Sequence, residues 1–121
     1  MKDKLIVSNN PLLEKRLENY EKLFVSSLSE VYQTCRDMIH KNWTLVTHPL
    51  AGSIKPAQNP YRSVVLVRSA GLDFYSLKTI ENAILKYEQF TKNHREREYS
   101  SKIKKDYQVI DLSLLNSALK K

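Results

Sequence analysis

Leu45-Val46-Thr47-His48-Pro49-Leu50-Ala51-Gly52-Ser53-Ile54-Lys55-Pro56-Ala57-Gln58-Asn59-Pro60-Tyr61-Arg62-Ser63-Val64-Val65-Leu66-Val67 carries the chain's clearest strand–loop–strand signal. Two apolar, β-branched runs enclose a polar segment that holds three of the four prolines and one of the two glycines. The runs read as strands, and proline and glycine mark the segment between them as a loop. A parallel connection normally needs a crossover of a dozen or more residues, usually helical. Residues 48–62 carry no helical pattern, so the second run has reason to return antiparallel to the first.

Upstream, Leu28, Val31, Cys35, Met38 and Ile39 recur at helical spacing to about residue 41. Ser27-Leu28-Ser29-Glu30 has the form of a capping box, and Asn42 suits a left-handed helix end. Leu23-Phe24-Val25 reads as a short strand. Before it, Asn10-Pro11 opens a helix whose face is Leu13, Leu17 and Tyr20. Leu5-Ile6-Val7 supplies the first strand, roughly residues 4–8.

Downstream, residues 63–67 are nearly all β-branched or leucine, as in a strand covered on both faces. Ser76 is placed to cap the longest helix, residues 77–96, with Leu77, Ile80, Ile84 and Tyr87 on its stripe. Tyr107-Gln108-Val109-Ile110 reads as a fifth, weaker strand, and Asp111 as the cap of a last short helix carrying Leu112, Leu115 and Leu119. Strands alternating with helices predict an α/β fold. The expectation is one three-layer domain over residues 1–121, with about five short strands in a mainly parallel or mixed sheet and helices on both faces.

The chain has 121 residues, 41% of them apolar, which suffices for a core without disulfide or metal staples. The single Cys35 excludes an internal disulfide framework and reads as a buried small hydrophobe. Only three apolar residues stand between Lys4 and Ser8, too few for a secretory h-region. No apolar run reaches the length of a membrane span, so a cytoplasmic protein without membrane association is expected. The net charge is +7, of which residues 92–105 carry +4, with six Lys/Arg against two Glu. A basic segment can meet nucleic acid, acidic protein or anionic substrate. The seven tyrosines form no run of adjacent aromatics on one strand, which weighs against a stacking platform for single-stranded nucleic acid.

Sites in α/β sheets form beyond the carboxyl ends of strands. Two polar loops meet that description, Ser8-Asn9-Asn10 and Thr47-His48. If their strands are neighbours, the loops converge. The candidate ligand-binding set is Asn9, Asn10, Thr47, His48, Gly52, Ser53, Lys55 and Arg62. Amide groups, a flexible Gly-Ser backbone and two cations suit a small carboxylate or phosphate. His48 is the candidate general acid/base, because imidazole titrates near neutrality. The alternative for His48 is a structural ring that holds the loop. No Gly-x-Gly-x-x-Gly and no phosphate-loop motif occurs, and His, Asp and Glu are not clustered at ligand spacing, so neither a cofactor nor a metal is expected.

Ser8-Asn9-Asn10-Pro11-Leu12, the Thr47–Pro56 run with its Lys55-Pro56, Asn59-Pro60-Tyr61, the valine-rich strand, and Leu77 through Ile84 to Phe90 together resemble the GrdX family. The resemblance covers roughly residues 5–91, and the Thr-His-Pro-Leu-Ala-Gly-Ser run is its specific part. It implies association with glycine reductase in amino-acid-fermenting bacteria. It carries over no catalytic residues. Three roles follow as alternatives. The first is an accessory or regulatory protein that binds a small anion or a glycine reductase component. The second is a small enzyme using His48 on a carboxylate or phosphate substrate. The third is nucleic-acid binding through residues 92–105. A homo-oligomer is compatible with each.

Overall fold

A computed structural model describes residues 4–50, 59–93 and 98–120. Four strands, β1 (Lys4–Ser8), β2 (Glu21–Phe24), β3 (Trp43–Leu45) and β4 (Ser63–Arg68), form one sheet in the order β2-β1-β4-β3. Three helices accompany it, α1 (Leu28–His40), α2 (Phe74–Asn93) and α3 (Ser101–Leu119), with a 3-10 helix over Pro11–Lys15. β1 pairs parallel with β2 and antiparallel with β4, and β3 pairs antiparallel with β4. The sheet is therefore mixed rather than mainly parallel, and β4 runs antiparallel to β3, the alternative that residues 48–62 left open.

β1 and β4 lie in the middle, and their residues alternate between two cores, as the two-residue period of a strand requires. Leu5, Val7, Val64 and Leu66 face α1 and α2, together with Val31, Tyr32, Cys35, Ile39 and Ile80. Ile6 and Val65 face the other way, against Leu13, Leu112 and Leu115. The register agrees, since Leu5 opposes Leu66, Ile6 opposes Val65, and Val7 opposes Val64. Helices thus cover both faces of the sheet.

Local chemistry explains the element ends. Ser27 caps α1 by accepting the Glu30 N–H at 3.2 Å, and its hydroxyl donates to the Glu30 carboxylate. Asn42 stands just past the helix end at φ 71°, a left-handed conformation that asparagine tolerates. At the end of β3, the N–H groups of Val46 and Thr47 both bond the Val65 carbonyl, the pattern of a β-bulge. The Thr47 hydroxyl accepts the Val65 N–H at 3.0 Å, so the ladder closes on a side chain.

Four local expectations are corrected. Residues 107–110 are not a fifth strand; they are the middle of α3, which runs unbroken because neither glycine nor proline interrupts residues 98–119. Asp111 is accordingly not a cap but a buried mid-helix residue. Ser76 lies inside α2, whose first turn is instead capped by the Asp73 side chain, which accepts the Tyr75 N–H at 3.1 Å. The helix expected after Pro11 stops at Lys15. Leu17 then turns left-handed at φ 55°, and the Lys22 ammonium donates to the carbonyls of Leu13 and Arg16. That short crossover lets β2 lie parallel beside β1.

Candidate functional site

β1 and β3 both run opposite to β4, so their carboxyl ends and the start of β4 meet at one end of the sheet. The loops after β1 and β3 are nevertheless not adjacent, because β4 separates their strands. Asn9 reaches across to β4 rather than to His48. Its Nδ2 donates to the Pro60 carbonyl and its Oδ1 accepts the Arg62 N–H, both at 2.8 Å. Asn10 is fully buried, and its Nδ2 donates to the Gln108 carbonyl and to Asp111 Oδ2 at 2.9 and 3.0 Å. Its Oδ1 accepts the Leu12 N–H, capping the 3-10 helix.

Asp111 is the hub of this buried network. Its carboxylate accepts the Ser63 N–H at 3.0 Å and the Ser63 hydroxyl at 2.6 Å, besides the Asn10 amide. Ser8 and Ser63 share a further hydroxyl contact of 2.8 Å. Burial pushes the Asp111 carboxyl above the usual carboxylate range, against the pull of the Ser63 and Asn10 hydrogen bonds and of the Arg62 charge. Arg62 is itself buried at the start of this strand.

On the other side of the sheet, Tyr32 of α1 is buried, and its hydroxyl donates to the Pro49 carbonyl at 3.1 Å. Burial raises its pKa, while the charge and hydrogen bond of Arg62 oppose that rise. Tyr32 also lines a cavity of about 300 Å³ between α1 and α2. Ser29, Gln33 and Arg36 of α1 and Ile84, Tyr87 and Glu88 of α2 complete it. The Tyr32 and Tyr87 rings meet edge to face, 5.9 Å between centroids.

His48 belongs elsewhere. It is exposed, and its Nδ1 accepts the Leu50 N–H at 3.0 Å, which leaves the neutral ring's proton on Nε2. With Thr47 it lines a second, shallower cavity of about 230 Å³ that includes Asp73, Ser76 and Thr79. Hydrogen bonds from Thr44 and then Ser76 hold the Asp73 carboxyl below its ordinary value. The Ser76 hydroxyl also accepts the Leu45 N–H at 3.0 Å, so the outer edge of β3 is satisfied by α2. Gly52, Ser53 and Lys55 lie outside the described residues.

The structure thus joins Asn9 to Arg62, sends Asn10 to Asp111, and places Thr47 and His48 at a different cavity. Sequence reasoning missed Asp111, Ser63, Tyr32 and the facing pair Arg36 and Glu88. One signal was present: an acid directly beside Leu112 in the stripe that continues to Leu115 and Leu119. Among the described residues, no three His, Cys, Asp or Glu side chains are grouped to hold a metal ion, and no helix is long and apolar enough to cross a membrane. Cys35 is fully buried and its thiol is pushed far up by desolvation, so it is no accessible thiolate.

The family model of the GrdX-like proteins matches residues 5–120, nearly the whole chain. No curated protein and no solved structure matches. The chain belongs to the GrdX-like family.

Proposed function

We propose that this member of the GrdX-like family is an accessory or regulatory protein associated with glycine reductase, and that it works by binding a small carboxylate or phosphate. The observation that carries the reading is the double role of Tyr32. This one side chain lines the cavity between α1 and α2 and bonds the Pro49 carbonyl of the loop that distinguishes the family. A ligand seated beside Tyr32 and Arg36 therefore bears directly on the loop. Arg36 supplies the cation for an anionic group, and Ser29 and Gln33 supply further donors. In this proposal Asn9, Asn10 and Arg62 hold the loop in register.

The test is thermal unfolding with phosphate, acetate and acetyl phosphate, for the wild type, Arg36→Gln and His48→Ala. A ligand at a hundredfold excess over its Kd stabilises by about 2.7 kcal/mol. That corresponds to a rise in Tm on the order of 10 °C for a domain of this size. The reading expects such a shift in the wild type and its loss in Arg36→Gln. If no anion shifts the wild type more than the variants, the small-anion reading is wrong.

A protein partner is the second reading. It is favoured by the exposed Ile103, Ile110 and Leu114 of α3 beside exposed Lys102, Lys104 and Lys105. Binding of purified glycine reductase components to the wild type but not to an Ile110→Asp/Leu114→Asp variant supports it, and equal binding to both rejects it.

A further inference from the structure

The cavity between α1 and α2 has a charge pattern that a plain anion does not match. One cation, Arg36, lines it from α1, and one anion, Glu88, lines it from α2. Among the described residues no ion pair joins the two, so each charge is available to a guest. The two charges sum to zero. A carboxylate or phosphate entering this space is drawn to Arg36 and repelled by Glu88, and a simple amine meets the reverse. A molecule that carries both charged groups on one carbon presents a partner to each wall.

The rest of the lining agrees. Ser29 and Gln33 stand one turn apart on α1, on the Arg36 side, and add hydrogen-bonding groups suited to a carboxylate. The Tyr32 and Tyr87 rings lie together near Glu88, and aromatic faces attract an ammonium. Ile84 supplies the one aliphatic wall. A volume of about 300 Å³ is that of a small-molecule site.

We infer that this cavity takes a zwitterionic α-amino acid, its carboxylate on Arg36 and its ammonium on Glu88 and the Tyr87 ring. This assignment rests on the reading that the cavity binds a small carboxylate, and it adds the ammonium as the selective element. Specificity then comes from Glu88, which favours the zwitterion and penalises the anion.

The test uses the full chain and three probes that differ by one charged group: L-alanine, propionate and ethylamine, titrated by calorimetry at neutral pH. L-Alanine is expected to bind at least tenfold more tightly than either of the others. Glu88→Gln should weaken L-alanine about tenfold while leaving propionate unchanged or improved. Arg36→Gln should weaken both L-alanine and propionate. Both positions are on the outer parts of their helices, and an unchanged unfolding midpoint in each variant confirms that folding is intact. If propionate matches L-alanine in the wild type, the zwitterion assignment is overturned and the anion reading stands. If Glu88→Gln leaves the L-alanine to propionate ratio unaltered, the assignment is overturned as well. Binding of none of the three removes it together with the small-carboxylate reading.

Discussion

Removing the Asp111 carboxylate tests the buried network at its hub. Three hydrogen bonds end on this group, from the Ser63 N–H, the Ser63 hydroxyl and the Asn10 amide. In Asp111→Ala the Ser63 hydroxyl keeps Ser8 and the Asn10 amide keeps the Gln108 carbonyl. The Ser63 N–H loses the acceptor it had, at a cost of about 1–3 kcal/mol for a buried donor. Buried Arg62 also loses the pull of the neighbouring carboxyl. About 1–3 kcal/mol is therefore expected in all. Asp111→Asn keeps an acceptor for the Ser63 N–H, and its amide can donate to the Ser63 hydroxyl. It surrenders the charge and one Asn10 contact and should cost about 1–2 kcal/mol. Urea unfolding at constant m measures both. The pH dependence gives a second readout. The folded carboxyl titrates above its unfolded value of about 3.9. The native state therefore binds the proton more tightly, and the stability this adds is fully present below that pH. It is lost as pH rises through the folded pKa. The wild type's advantage over Asp111→Asn should accordingly be largest in acid and shrink toward neutrality. A cost below about 1 kcal/mol for Asp111→Ala, or an advantage that grows with pH, refutes the reasoning.

Three further outcomes are expected. Asn42→Ala should cost about 1 kcal/mol and Asn42→Gly should be neutral or mildly stabilising in thermal unfolding, because the position sits at φ 71°. Ser76→Ala should cost about 1–2 kcal/mol in urea unfolding, since its hydroxyl serves the Leu45 N–H, Thr44 and Asp73 together. Cys35 should react with a thiol reagent only as fast as the chain opens, so its modification rate should track unfolding; rapid labelling of the native protein contradicts its complete burial.

Much of the fold was legible because it depends on near neighbours. The Ser27–Glu30 cap, the stripe from Leu28 to Ile39 and the turn at Asn42 are all set within a few residues, and all occur where the pattern put them. The Val64-Val65-Leu66 run announced a strand buried on both sides, and it is one. Tyr107–Ile110 misled because three of its four residues are aromatic or β-branched, and so short a run fits a strand as well as a helix turn. The choice fell to the helical stripe that runs on from them through Asp111, Leu112 and Leu115, buried on one face.

The site shows the same division. Of the residues picked out by type, Asn9 bonds the Arg62 N–H, while Asn10 bonds Asp111 instead. Their partners could not be read, because Asn10 and Asp111 are 101 positions apart and Tyr32 and Pro49 are 17 apart. The direction of β4 was open as well. A segment of the length of residues 48–62 can either cross over or turn back, and composition does not distinguish the two. Local pattern was enough for which residues are apolar and where α1 starts and stops, but not for where α2 and α3 start. That β4 lies between β1 and β3 emerges only on folding, because strand order depends on which buried faces fit together across the whole chain. That placement brings Asn9 to Arg62 and Asp111 to Ser63, sends His48 to the outer edge, and leaves Arg36 and Glu88 facing one cavity from two helices.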